Sequence, residues 1–176
     1  QSDALGRVTR FAYDRMGRRI RRTLPVVAPA TIGAFEEMTY KDAGNQVSKR
    51  DFMGRTTSFA YDDNNRLRTK TYPDTSKVEF DYTPTGRRSS AKDTRGITSY
   101  SYDDRARLTS LTYPDGRKLE YGYDARGAPT SLRAHVGGTE LVTSYDYDDA
   151  GRLDSVIDPS AGEYSVGYHD ARNRTE

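Results

Sequence analysis

Cysteine is absent from the 176-residue chain, which excludes a disulfide scaffold and any thiolate metal site and leaves the redox compartment open. Histidine occurs only at His135 and His169, so no His-x-x-x-His metal pair exists, and no nucleophile elbow is present. Long apolar runs are missing too. The most apolar stretch, Leu24 to Phe35, falls well short of the ~20 residues that span a bilayer and is interrupted by Pro25 and Pro29, so no membrane span is expected. Charge of one sign is also lacking: 28 Lys and Arg against 26 Asp and Glu leave a net +2, a weak basis for bulk attraction to nucleic acid or anionic lipid. An apolar fraction of 34%, against the roughly 45–50% of ordinary domains, argues against one thick core. Near-zero net charge with 14 Tyr and 5 Phe argues equally against a disordered polymer. The chain starts at Gln1 with no charged-then-apolar leader and reads as a piece excised from something longer.

What the sequence does have is a repeat. Tyrosines stand at Tyr13, Tyr40, Tyr61, Tyr82, Tyr102, Tyr123, Tyr147 and Tyr168, separated by 27, 21, 21, 20, 21, 24 and 21 residues, a period of about 21. The excess in the first gap falls in the Pro/Val/Ala stretch near 25–35, and that in the sixth falls near 133–140. Both are expected to be loop insertions.

Two positions before each Tyr stand Phe11, Met38, Phe59, Phe80, Tyr100, Tyr121, Tyr145 and Val166, all large and apolar or aromatic. The intervening register is polar one step further back, at Arg10, Glu37, Ser58, Glu79, Ser99, Glu120, Ser144 and Ser165. Strict alternation is the period-2 signature of a strand with two unlike faces. Four positions before the Tyr, β-formers such as Thr57, Val78, Thr98 and Thr143 predominate, with Glu36 the exception.

After the Tyr the chemistry becomes that of a turn. Asp14, Asp62, Asp103, Asp124 and Asp148 follow it directly, and Gly17, Gly44, Gly86, Gly127 and Gly151 stand four residues after it, with Asn65 in that place once. Gly and Asn accept a left-handed backbone, and an Asp that opens a turn accepts backbone N–H groups within it. Arg18, Arg66, Arg87, Arg107 and Arg152 come next, and Leu67, Leu108 and Leu153 open a second strand. About eleven residues past each Tyr lies another turn signal, clearest in Tyr72-Pro73-Asp74-Thr75 and Tyr113-Pro114-Asp115-Gly116, with Asp51 to Gly54 and Asp158-Pro159 as relatives. Each unit is therefore strand, turn, strand, turn, and roughly fourteen to sixteen short antiparallel strands are expected.

The string Tyr102-Asp103-x-x-x-Arg107-Leu108, Tyr113-Pro114-Asp115-Gly116, Tyr121-x-Tyr123-Asp124-x-x-Gly127 resembles the YD repeat of the Rhs family. The resemblance runs from Phe11-Ala12-Tyr13-Asp14 to Tyr168. Proteins with such repeats include bacterial Rhs polymorphic toxins, the B and C components of insecticidal toxin complexes, wall-associated proteins and animal teneurins. The resemblance implies a long β-sheet wound spirally into a hollow shell, which in the bacterial toxins encloses a C-terminal toxic domain until delivery. Asp158-Pro159-Ser160-Ala161-Gly162 is only superficially like the core motif at which such shells end, because it sits where the repeat's own turn belongs. No cleavage role is assigned to Asp158.

Other chemistries fare worse. Asp62-Asp63, Asp103-Asp104 and Asp148-Asp149 lack the Asp-x-Asp-x-Asp-Gly spacing of calcium loops, and acids placed at every period are structural before they are a glycosidase pair. The basic run Arg15, Arg18, Arg19, Arg21, Arg22 beside Phe11 and Tyr13 suits phosphates, but two of its members fall in the repeat's turn and following strand, so a solvated face is the expected reading. An Arg over a Tyr ring of the adjacent repeat contributes ~0.5–1 kcal/mol where exposed. Repeated along the chain, Tyr61, Tyr82, Tyr102, Tyr123 and Tyr147 are expected to stack as a ribbon with the aromatics two residues before them.

The expected fold is all-β: antiparallel hairpin repeats in a solenoid-like spiral sheet, a single array of about seven units over 1–176, forming a segment of a hollow shell. The expected function is structural, the wall around a protein cargo such as a toxin domain, with neighbouring repeats and that cargo as partners and a secreted or cell-surface bacterial setting. No enzyme activity, catalytic residue, metal, cofactor or nucleic-acid partner is expected. The polar face is expected to line the interior. Exposed terminal strands would favour edge pairing between copies. The rival reading is a surface adhesin or carbohydrate- or receptor-binding module.

Overall fold

Alternating side chains with a turn every ten residues leave the backbone one way to satisfy its polar groups, namely hairpin after hairpin. A computed structural model shows this arrangement and describes residues 1–26 and 33–167. Fifteen strands and no helix occur among the described residues. They are β1 (Arg10–Tyr13), β2 (Arg19–Thr23), β3 (Phe35–Tyr40), β4 (Gln46–Arg50), β5 (Thr56–Tyr61), β6 (Leu67–Thr71), β7 (Lys77–Tyr82), β8 (Arg88–Asp93), β9 (Gly96–Tyr102), β10 (Leu108–Thr112), β11 (Lys118–Tyr123), β12 (Pro129–Val136), β13 (Thr139–Tyr147), β14 (Leu153–Asp158) and β15 (Gly162–Ser165). Two compact units are distinguished: residues 1–81 with 92–94, and residues 82–91 with 95–176.

In both units strands follow chain order, each antiparallel to the next. A register shift recurs where a strand ends on a repeat Tyr. Ala12 pairs with Arg21 but Tyr13 with Arg19, Ala60 with Thr69 but Tyr61 with Leu67, and Asp146 with Ser155 but Tyr147 with Leu153. One residue of the second strand is thereby skipped, a β-bulge that increases local twist.

The period-2 pattern sorts the side chains. In the second unit one face carries the row Tyr100, Leu111, Leu119, Ala134, Leu141, with Tyr121, Leu132, Tyr145, Val156 and Tyr164 beside it. The opposite face carries Ser101, Ser110, Glu120, Arg133 and the row Thr112, Lys118, His135, Glu140. In the first unit the polar face runs Thr39, Ser48, Ser58, Thr71 in register. Met38 is the one buried apolar residue among those described, with Glu36 and Ser155 as buried polar companions. The aromatic strips stay half-buried, which is how a chain so poor in apolar residues makes a fold.

The extra residues near 133–140 do not form a loop. They lengthen β12 and β13 to 8 and 9 residues, joined by Gly137 and Gly138 at φ +58° and +83°. Two consecutive left-handed residues are what a two-residue hairpin turn requires, so added length goes into paired strand. Of the insertion near 25–35, residues 27–32 lie outside the described residues, as do Tyr168 and His169.

Candidate functional site

The feature repeated through both units is the turn after the Tyr and what the next Tyr does to it. In Asp14–Arg18 the Gly17 N–H donates to the Asp14 carbonyl at 3.0 Å and the Asp14 N–H to the Arg18 carbonyl at 2.9 Å. This is a type I turn closed by a left-handed residue, Gly17 at φ +75°. The carboxylate completes it. Asp14 Oδ1 accepts the N–H groups of Met16 and Arg18, and Oδ2 accepts Arg18 Nε at 2.6 Å. The same carboxylate clamp holds Asp62 to Arg66, Asp103 to Arg107 and Asp148 to Arg152 at 2.8, 2.6 and 2.7 Å.

Variants of the turn substitute chemistry and keep geometry. Thr83 Oγ1 takes the carboxylate's place and accepts the Arg87 N–H at 3.1 Å. Asp124, with Ala128 where Arg stands elsewhere, accepts the Gly127 and Ala128 N–H groups at 2.7 Å each. Turns at the opposite strand ends use the same five-residue loop, and Asp3–Arg7 and Asp51–Arg55 carry the full clamp. In the Pro-Asp-Gly turn the acid moves two places on, and Asp115 accepts from Arg117 by both its backbone N–H and its Nε.

The carboxylates of Asp3, Asp14, Asp51, Asp62, Asp103, Asp115 and Asp148 are held below the usual range. For Asp62, Asp103 and Asp148 the backbone N–H of the arginine four residues on is the largest cause, and the guanidinium adds to it against a smaller opposing effect of burial.

The next Tyr then fastens the turn from the neighbouring hairpin. Its hydroxyl donates to the carbonyl of the first residue of the strand that leaves the turn: Tyr40 to Arg19, Tyr61 to Gln46, Tyr102 to Arg88, Tyr123 to Leu108 and Tyr147 to Pro129, at 2.8–3.0 Å. The clamp arginine lies over the same ring, Arg18 on Tyr40 at 4.9 Å, Arg87 on Tyr102 at 5.7 Å and Arg107 on Tyr123 at 4.6 Å. Its terminal nitrogen reaches one residue further, Arg18 to the Lys41 carbonyl at 2.9 Å and Arg107 to that of Asp124 at 3.1 Å. In the turns after Tyr13 and Tyr102, Asp, Arg and the following Tyr thus form one three-part joint, and in those after Tyr40, Tyr82 and Tyr123 the Tyr bond persists while Asp or Arg is replaced. Tyr13 ends β1 and is 59% exposed, and Tyr82 ends β7.

The sequence pattern names the Asp, the Arg and the Tyr but not the Asp-to-Arg bond. Its signal is the constant spacing of four between them, which on a turn brings carboxylate and guanidinium together. The basic run is accounted for in the same way. Arg18 pairs with Asp14, Arg19 and Arg22 with Glu36, and Arg21 with Glu37, so four of its five guanidinium groups are engaged within the chain. Among the described residues no three His, Asp or Glu side chains are placed to share a metal ion. His135 Nε2 donates to Glu120 Oε2 at 2.6 Å, on the face that also carries Lys118, Arg133 and Glu140.

A family model described as teneurin YD-shell matches residues 83–175, more than half of the chain, and one described as RHS repeat matches 1–26, 40–77 and 61–98. No curated protein sequence matches. Among solved structures, the chain is similar to one titled TcdB2-TccC3-Cdc42, with TM-score 0.75 and 18% identity over 96% of this chain and 11% of that one. It is similar also to TcdB2-TccC3 without hypervariable C-terminal region, with TM-score 0.62 and 15% identity over 95% of this chain and 12% of that one. A third, TcdB2-TccC3-TEV, gives TM-score 0.58 and 16% identity over 90% and 12%. The chain spans about a tenth of the length of these structures, and the likeness is one of fold.

Proposed function

From the premise that this chain belongs to the Rhs and teneurin YD-repeat family, we propose that it is one stretch of a shell wall that encloses a protein cargo, in a larger secreted or cell-surface bacterial protein. The supporting observation is a sheet that, among the described residues, buries one large apolar side chain, Met38, yet carries a carboxylate clamp or its substitute at turn after turn. Such a sheet has the construction of a partition and not of a reaction vessel: its stability comes from joints between successive hairpins, and it holds its shape without a second layer. Residues 1–176 act as one run of repeats in this reading, and the work done is steric exclusion, with no catalytic step.

The polar face, rich in Ser, Thr and paired charges, is the side assigned to the guest. Hydroxyls and neutralised ion pairs offer an unfolded segment little apolar surface to hold on to, so the guest stays releasable.

The test is protease protection in the full-length protein. Cargo sequence should survive a protease concentration that digests it when the wall is opened by Tyr102→Ala with Tyr123→Ala. Equal digestion with the intact wall contradicts the proposal.

A further inference from the structure

Nearly every hairpin connection in the described sheet is a tight turn that fixes the register of the strands it joins. The connection from β2 to β3 covers residues 24–34, against two to five residues in the others. A loop of that length leaves register open, since a two-residue slip keeps every side chain on its own face.

The three strands at this place carry opposite charges in register on both faces. Arg22 pairs in register with Glu36 and Arg21 with Glu37, and Glu37 pairs on its other side with Arg50. Glu36 is 5% exposed and sits among Lys49, Arg19 and Arg22 at 3.4, 3.7 and 3.9 Å. On the opposite face Glu37 lies 3.5 Å from Arg21, and Arg21 and Arg50 both lie over the Phe35 ring at 3.7 and 5.0 Å. An acidic strand is thus held between two basic ones, on both faces at once.

We propose that Glu36 and Glu37 are a register key, supplying between β2, β3 and β4 the alignment that a clamped turn supplies elsewhere. A slip of two residues in one direction puts Ile20 opposite Glu36, and in the other it puts Met38 opposite Arg22. Either puts an apolar residue, Ile20 or Leu24, in the place of Arg22 opposite the buried carboxylate and leaves its ion pairing to Lys49 of β4, an arrangement that is disfavoured. The key also explains why Glu36 occupies a position that β-formers hold in the other repeats. Connection 24–34 is then free to vary in length and sequence.

Absence of native cysteine makes the register directly readable. Thr23 and Phe35 are paired in the sheet, so Thr23→Cys with Phe35→Cys reports the native register, while Pro25→Cys with Phe35→Cys reports the slipped one. In the otherwise unaltered chain the first pair should cross-link and the second should lag well behind it. Adding Glu36→Gln and Glu37→Gln should shift cross-linking from the first pair to the second. Reversing one face as Arg21→Glu, Glu37→Arg and Arg50→Glu should return it to the first. Unchanged cross-linking in the double glutamine variant overturns the proposal. Thr23→Cys with Gly33→Cys reports the opposite slip in the same way, and a variant in which none of the three pairs cross-links also overturns the proposal, because the glutamates would then serve stability and not register.

Discussion

The hydroxyl of Tyr123 donates to the carbonyl of Leu108 at 2.9 Å, and the residue before that carbonyl, Arg107, lays its guanidinium over the same ring. One side chain therefore grips the preceding turn at two points. Tyr123→Phe keeps the ring and loses the bond, which should cost about 1 kcal/mol and lower Tm by about 3 °C for a chain of this size. Tyr102→Ala with Tyr123→Ala removes both grips in consecutive repeats and should lower Tm by far more than the same change at Tyr72 and Tyr164, which are exposed. Thermal melts followed by far-UV circular dichroism check both.

Acid should dissolve the turns before it does anything else. Asp62, Asp103 and Asp148 have folded-state pKa values below their ordinary ones because backbone N–H groups and then guanidinium groups stabilise the carboxylate. A depressed pKa means that the contribution to stability is present above the unfolded value of about 3.9 and is lost as pH falls through the folded one. Tm measured against pH should be flat from neutral down to about pH 5 and then fall. Asp103→Asn should lower the neutral-pH plateau and reduce the size of that fall.

Two turns carry the wrong residue for their backbone. Ala106 and Thr75 sit at φ +62° and +69°, where an L side chain costs roughly 1–2 kcal/mol and glycine almost nothing. After the added flexibility of glycine in the unfolded chain is set against this, Ala106→Gly and Thr75→Gly should each raise Tm by about 2 °C. Gly151, at φ +77° with room for a Cβ, supplies the converse: Gly151→Ala should destabilise by about 1 kcal/mol through backbone strain alone.

The two faces should differ in their access to solvent once the wall is part of the whole protein. Ser131 and Leu132 are adjacent in β12 and point to opposite faces. In a cysteine-free full-length protein, Leu132→Cys should react with a bulky impermeant maleimide and Ser131→Cys should not. Equal labelling of both contradicts the assignment of the polar face to the interior.

Most of the fold is legible in the sequence because its information is local. The aromatic two residues before each Tyr, the polar residue three before it and the turn signal that follows place β5, β7, β9, β11 and β13 and the turns after them, and Leu67, Leu108 and Leu153 open β6, β10 and β14 as their position requires. What is not legible depends on three dimensions. That Asp103 binds Arg107 follows only once the chain folds back at Ala106. The bulge at Tyr13, Tyr40, Tyr61, Tyr102, Tyr123 and Tyr147 is invisible in any profile, since a skipped residue changes pairing and not composition. Glu36 breaks the profile for a reason that lies in β2 and β4, on strands distant in the pattern. The extra residues around His135 read as a loop because length in excess of a period carries no mark of its own, and only paired Gly137 and Gly138 reveal a tight hairpin.

The most direct measurement is an electron cryo-microscopy reconstruction of the full-length protein that contains this segment. It should show β1 to β15 continued at their outer strands by further hairpins into a sheet that closes around a chamber, with density for polypeptide inside. A sheet open to solvent on both faces, or a closed chamber empty of chain in the undelivered protein, would contradict the wall reading.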